Sequence, residues 1–210
     1  MISFSHNFIF IHIPKTGGNS IQSVLAAYSE DEIVKTHGHQ DGIERFEIKS
    51  SQGSLKKHST LKEYRKLVGD SRRFEKFAKI AVVRNPWDRM ISLYFSPHAK
   101  RNNWRREEFM EMVKVSNGMD FFVSHKKKYP WVSKNRYAED AFSNLDQIIR
   151  FENIQSDFYN CMNSIGVPEE KLPIRNRSIR TEYHQYYDDV LINLVGEKFI
   201  GEINLFNYSY

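Results

Sequence analysis

Apolar residues fall along this chain in two rhythms, short unbroken runs and stripes spaced three and four apart. Phe8 to Ile13 is almost continuously apolar, the pattern of a strand buried on both faces in the middle of a parallel sheet. Beyond the loop Pro14 to Gly18, residues Ile21, Val24, Leu25 and Tyr28 recur at helical spacing and predict a helix with one packed face. The unit returns at Lys79 to Val83, an apolar run that meets Arg84-Asn85-Pro86, after which Trp87, Met90, Ile91 and Tyr94 again keep helical spacing. This boundary carries its own chemistry: Asn85 can cap, Pro86 suits the first helical position, and Asp88 is placed to reach back as in a capping box.

A third strand is expected over Asp146 to Phe151, followed by a helix with Ile154, Phe158, Met162 and Ile165 inward, ended by Gly166 and Pro168. A last helix, about Thr181 to Phe199, would bury Tyr187, Val190, Leu191, Leu194 and Val195. Between the first two units, Leu61 to Val68 reads as helical and Ile33 to Thr36 as a short strand. Alternation of this kind predicts an α/β fold of three layers, a central, mostly parallel sheet with helices on both faces. With no repeat and no Pro/Gly/Ser-rich linker, residues 1–210 are expected to form one domain. Lys100 to Arg136 breaks the pattern by mixing Trp104, Tyr129 and Trp131 with basic residues, and is expected to be helical and to lie over the sheet edge.

Composition narrows the class. The 40% hydrophobic and 14% aromatic content of 210 residues can fill a core, and no run of ~18 apolar residues is present to span a membrane. The opening MISFSHNFIFIHIPKTGG lacks a basic leader and reads as the first strand. A single cysteine, Cys161, excludes an intramolecular disulfide and a cysteine-based zinc framework, and points to a reducing compartment, the cytoplasm. The formal charge of +5 favours an anionic ligand. Lys100 to Arg136 holds ten Lys/Arg against four acids, so the basicity is local.

The strongest candidate for chemistry is Pro14-Lys15-Thr16-Gly17-Gly18-Asn19-Ser20, lodged between a buried strand and an amphipathic helix. Gly17 and Gly18 permit a sharp turn, and the helix start offers N–H groups and a partial positive charge to an oxyanion. Lys15 adds a full charge, while Thr16, Asn19 and Ser20 add neutral donors. A Walker A loop would place its lysine after the glycines, whereas Lys15 precedes them. The bland reading is a strand-to-helix turn with an incidental lysine. A second candidate is Arg84 at a strand end with Ser92 eight residues on, able to meet one dianion beside the helix. Its bland reading is Arg84 paired with Asp88 and Ser92 facing solvent.

Together, strand-PKTGGNS-helix and strand-RNPWDRMISLY resemble the P-loop-like sulfotransferases that use 3′-phosphoadenosine 5′-phosphosulfate (PAPS), and more narrowly the carbohydrate group that includes heparan sulfate 2-O-sulfotransferase. The resemblance implies that Lys15, Thr16, Gly17, Gly18, Asn19 and Ser20 hold the 5′-phosphosulfate and that Arg84 and Ser92 hold the 3′-phosphate. Weaker similarity covers Lys57-His58-Ser59-Thr60, Phe151-Glu152-Asn153, Leu172-Pro173 with Asn176-Arg177-Ser178, and Asn204-Leu205-Phe206.

The implied reaction moves a sulfonyl group from PAPS, a co-substrate, to an acceptor hydroxyl on a glycan or glycolipid by in-line attack. No metal, nucleic acid or membrane span is expected. His58 is the implied base, since an imidazole titrating near ~6.5 suits proton abstraction; Lys56 stands where heparan-type enzymes carry a further histidine. His37 and His39 are the rivals, and His12 reads as structural. Lys15 would also serve catalysis by balancing charge on the leaving group. Arg175, Arg177 and Ser178 lie in a polar loop that can close on the donor, and Glu152 and Asn153 are expected to order loops. The variable segment 100–136 would lie over the acceptor side. Two other readings stay open: a nucleotide-dependent kinase, and a non-catalytic module binding nucleic acid or sulfated glycan through Lys100 to Arg136.

Overall fold

A computed structural model describes residues 1–40, 43–49, 55–96, 101, 103–125, 129–168, 170–173 and 180–210, with the side chains of 35–40 and 43–46 left out. Four strands form the main sheet: β1 (Ile2–Ser3), β2 (Phe8–Ile11), β5 (Ala78–Val83) and β6 (Gln147–Arg150), in the spatial order β1-β2-β5-β6. β1 runs antiparallel to β2, whereas β2 with β5 and β5 with β6 are parallel. The strand expected over Ile33 to Thr36 is longer, β3 (Glu32–Gln40), and pairs with β4 (Ile43–Lys49) in an antiparallel hairpin outside the main sheet.

The continuous apolar runs have a two-sided cause. Ile9, Ile11, Ala81 and Val83 face one cluster, while Phe8, Phe10, Ile80, Val82 and Ile149 face the other. Period-two alternation thus lands an apolar side chain in a core at every position. On the first face lie α2 (Leu61–Val68), α3 (Ser71–Glu75), α6 (Asp120–Val123), α7 (Lys134–Phe142) and α10 (Ile200–Phe206). On the second lie α1 (Gly18–Leu25) and α8 (Ile154–Ser164). The expected α/β architecture is present. Burying a large side chain such as Phe10 or Ile11 contributes roughly 1.5–3 kcal/mol.

A third cluster joins α4 (Pro86–Tyr94) to α5 (Arg106–Val115) and α9 (Asp189–Lys198) through Met90, Ile91, Phe109, Val113, Leu191 and Val195. The segment expected to be helical and to lie over the sheet edge does carry helices among its described residues, but it divides: α5 packs on α4 and α9, while α6 and α7 cover a face of the sheet instead of its edge. Trp104 packs among Tyr94, Phe109 and Tyr186. The last helix begins later than its periodicity suggested. A 3-10 turn occupies Tyr183–Tyr186, Asp188 caps α9, and Val190 is 54% exposed. The apolar stripe was followed through the turn because Tyr183 and Tyr187 pack on their own account. No helix among the described residues is long and apolar enough to cross a membrane.

One buried acid ties the C-terminal helix to the middle of the chain. Glu202 on α10, 1% exposed, accepts the Asp120 backbone N–H at 2.9 Å. Burial and the neighbouring Asp120 push its carboxyl up to about 7, against the pull of Arg89. A raised carboxyl pKa means that the folded chain holds this proton more tightly, so the contribution of Glu202 to stability is largest in acid and falls as pH rises from ~4.5 through about 7. Glu202→Gln should flatten that decline in urea titrations between pH 5 and 8; an unaltered slope would show that Glu202 does not set it.

Candidate active site

The loop between β2 and α1 lies at the carboxyl end of the parallel strands, where α/β sheets collect their ligands. Its shape comes from two residues in left-handed backbone, Lys15 at φ 68° and Gly17 at φ 85°. Gly17 tolerates that conformation, whereas Lys15 stores strain there. Gly18 is needed for space: a Cβ at this position would lie 2.3 Å from His12 Cδ2. Thr16, fully buried, donates its hydroxyl to the Ile13 carbonyl at 2.9 Å. α1 starts from Gly17 with no side-chain cap, and the buried Asn19 Oδ1 has no partner among the described residues. The first turn therefore keeps N–H groups for an anion.

Two arginines hold the loop from behind. Arg84, at the end of β5, donates from Nη1 to the Lys15 carbonyl at 2.9 Å. Arg89, on α4, donates from Nε to the Pro14 carbonyl at 3.1 Å and from Nη1 to the Asn117 carbonyl at 3.2 Å. Arg84 also lies over the Phe151 ring, 3.8 Å from its centre. The two sequence motifs are thus in direct contact. Burial draws both guanidinium groups below their ordinary values; Asp88 opposes this for Arg84, and Glu202 and Asp120 oppose it for Arg89.

Asp88 does not complete a capping box. Asn85 accepts the Trp87 N–H, but the reach back to the Asn85 N–H comes from Glu152 Oε1 at 2.7 Å. Asp88 is engaged elsewhere: it accepts from Arg84 Nε at 2.8 Å and Nη2 at 2.6 Å, and from Arg180 Nη2. Half of the bland reading of this pair is therefore met, since Arg84 does pair with Asp88, while Ser92 is buried at 3% exposure rather than solvent-facing.

His58 stands beside the loop. Its Nδ1–H donates to the His12 carbonyl at 2.9 Å, which leaves Nε2 as the basic nitrogen of the neutral ring. Its ring meets the His12 ring edge-on, with centroids 4.5 Å apart. His12 is buried and bonded through Nδ1 to Gln22 Oε1 at 2.7 Å. Burial, reinforced by His58 and Lys57, holds it well below the usual histidine range and hence neutral.

The structure thus gathers Lys15 to Ser20, His58 and Arg84 into one region, with Ser92 on the helix that starts beside Arg84. Of the rivals, His37 and His39 belong to β3, but their side chains lie outside the described part. Arg175, Arg177 and Ser178 also lie outside the described residues. Arg89 and Arg180 escaped the sequence reading. Arg89 sits within the apolar spacing of α4, where a charge 2% exposed signals a buried partner. Glu152 orders neighbouring loops as expected, accepting from Asn85 and, through Oε2, from the Tyr208 hydroxyl at 3.3 Å. Among the described residues no group of His, Cys, Asp or Glu is gathered to hold a metal.

Residues 1–209 match the sulfotransferase family, and the chain belongs to that family. Comparison with curated proteins and with solved structures returns no match. Sulfonyl transfer is the class of reaction this membership carries, which gives Asp88 a testable position. Asp88→Asn removes the carboxylate that satisfies two arginines, so the ligand-free protein should lose on the order of 3 kcal/mol. A phosphate-bearing ligand would then meet less competition and bind more tightly. Thermal melts with and without adenosine 3′,5′-bisphosphate read both effects; weaker binding by the variant would show that Asp88 positions the arginines instead of competing.

Proposed function

We propose that this sulfotransferase moves the sulfonyl group of PAPS to a hydroxyl of a carbohydrate acceptor, a glycan or glycolipid. The observation that carries the reading is the 2.9 Å bond from Arg84 to the Lys15 carbonyl. It sets the anion loop and the arginine-serine helix side by side, as two ends of one bisphosphorylated nucleotide require. The carbohydrate assignment is supported by the motif resemblance, and the reducing compartment by the lone, buried Cys161.

Bound PAPS would supply an activated sulfur atom with a stable phosphate leaving group. The N–H groups at the start of α1, with Lys15, Asn19, Ser20 and the backbone N–H of Thr16, would hold the 5′ end and balance the charge that grows on the departing phosphate; the Thr16 hydroxyl, expected as a neutral donor, is spent on the Ile13 carbonyl. The backbone and Lys15 would do this without reorganising, because Arg84 and Arg89 already fix the loop. Arg84 and Ser92, with Arg177 and Ser178, would hold the 3′-phosphate. His58 Nε2 would take the acceptor proton as the new oxygen–sulfur bond forms and the sulfur–phosphate oxygen bond breaks, and the His12 carbonyl, by accepting from Nδ1–H, fixes the tautomer of the neutral ring that has Nε2 as its basic nitrogen.

Arg84→Ala should weaken adenosine 3′,5′-bisphosphate binding by ~10- to 100-fold, the value of a charge-assisted contact. Calorimetry checks this, and unchanged affinity would remove Arg84 from the nucleotide site. His58→Ala should lower the rate with labelled PAPS by ~10²- to 10⁴-fold while leaving bisphosphate affinity intact. A variant with full turnover would transfer the base to another residue.

A further inference from the structure

Of the three tryptophans, Trp87 is buried and Trp104 packs among Tyr94, Phe109 and Tyr186, but Trp131 is 79% exposed. Its ring stacks on that of Tyr129, itself 45% exposed, with centroids 4.8 Å apart. A tight turn builds the pair: the Val132 N–H donates to the Tyr129 carbonyl at 3.1 Å, and Pro130 fixes the first inner position of that turn. Both rings are therefore set before any partner arrives, at little further cost in side-chain freedom. Phe121, half-exposed on α6, and Lys134 line one cavity, which brings a third ring to the start of α7, just past Trp131 in the chain.

The sequence around the turn carries charge of one sign. Residues 125–136 hold four lysines, one arginine and no acid. Arg136 faces Glu139 and Asp140 along α7 at 4.0 and 3.5 Å, so the lysines set the net charge of the stretch. Lysine is a compact, hydrated point charge that responds to the field of a charged surface, whereas readout of individual phosphates or sulfates favours the arginine fork. Tryptophan and tyrosine collect at the boundary between lipid and water, where an apolar ring and a polar tip are both satisfied. Rings and lysines together match a negatively charged bilayer surface better than they match nucleic acid or a sulfated polysaccharide.

We propose that the turn from Tyr129 to Trp131 docks this protein on an anionic lipid bilayer, the two rings entering the interface while the lysines neighbouring them in sequence are drawn to the surface charge. The contact is peripheral, since no helix among the described residues is long and apolar enough to cross a membrane. It does not rest on the sulfonyl-transfer reading, because neither the donor loop nor His58 takes part.

Vesicle sedimentation tests this on the whole chain, using phosphatidylcholine alone and phosphatidylcholine mixed with phosphatidylglycerol. Binding to the mixed vesicles is expected, weakened by added salt and accompanied by a blue shift of tryptophan emission that is absent from Trp131→Phe. Tyr129→Ala with Trp131→Ala should lower the vesicle affinity by about tenfold or more with little change in melting temperature, because both rings are exposed. Equal binding to phosphatidylcholine alone, no binding to either vesicle, or binding that survives loss of both rings would overturn the proposal. So would capture by heparin or an oligonucleotide without capture by the mixed vesicles.

Discussion

Everything at the functional end of this protein depends on two guanidinium groups gripping two consecutive carbonyls, Arg89 on Pro14 and Arg84 on Lys15. A trans peptide points its C=O and N–H in opposite directions. Drawing the carbonyls toward β5 and α4 therefore turns the N–H groups of Lys15 and Thr16 the other way. It also holds Lys15 at φ 68°, a conformation an unrestrained lysine leaves. Strain in one residue is offset by charge-assisted bonds from two others, and the loop is shaped before any anion arrives.

Such a clamp requires buried positive charge, which is stable only when paired. Asp88 balances Arg84 and also meets Arg180, while Asp120 and Glu202 act on Arg89. The pairing spreads the site's influence widely. α10, near the chain's end, is tied to the loop near its start through Glu202, Asp120 and Arg89. On the other side of the loop, the His12 backbone carbonyl orients His58 and the His12 ring occupies the space that Gly18 leaves empty. One strand end thus shapes the loop before α1 and orients the candidate base together.

The sheet and most flanking helices were legible because their signals are local. Asn85-Pro86 marks the start of α4 through capping chemistry, and two-sided burial shows as continuous apolar runs at Phe8 and Lys79 onward. The end of the chain was less legible, since Tyr183 and Tyr187 pack into the same cluster as the helix that follows and prolong its stripe. The candidate anion loop could be singled out by residue type and order. Its support could not: Arg89, Glu152 and Arg180 act through partners 75, 67 and 92 residues away, and no spacing rule encodes such contacts. Asp88 had the right position for a capping box, but a guanidinium outcompetes a backbone N–H for a carboxylate.

Dissecting the nucleotide measures the shared pocket most directly: calorimetric affinities of adenosine 3′,5′-bisphosphate, adenosine 5′-monophosphate and adenosine 3′-monophosphate for the unmodified protein. If one site grips both ends, the bisphosphate should bind about tenfold or more tightly than either monophosphate. Equal affinities for all three would mean that the lysine loop and the arginine-serine helix do not hold one molecule between them.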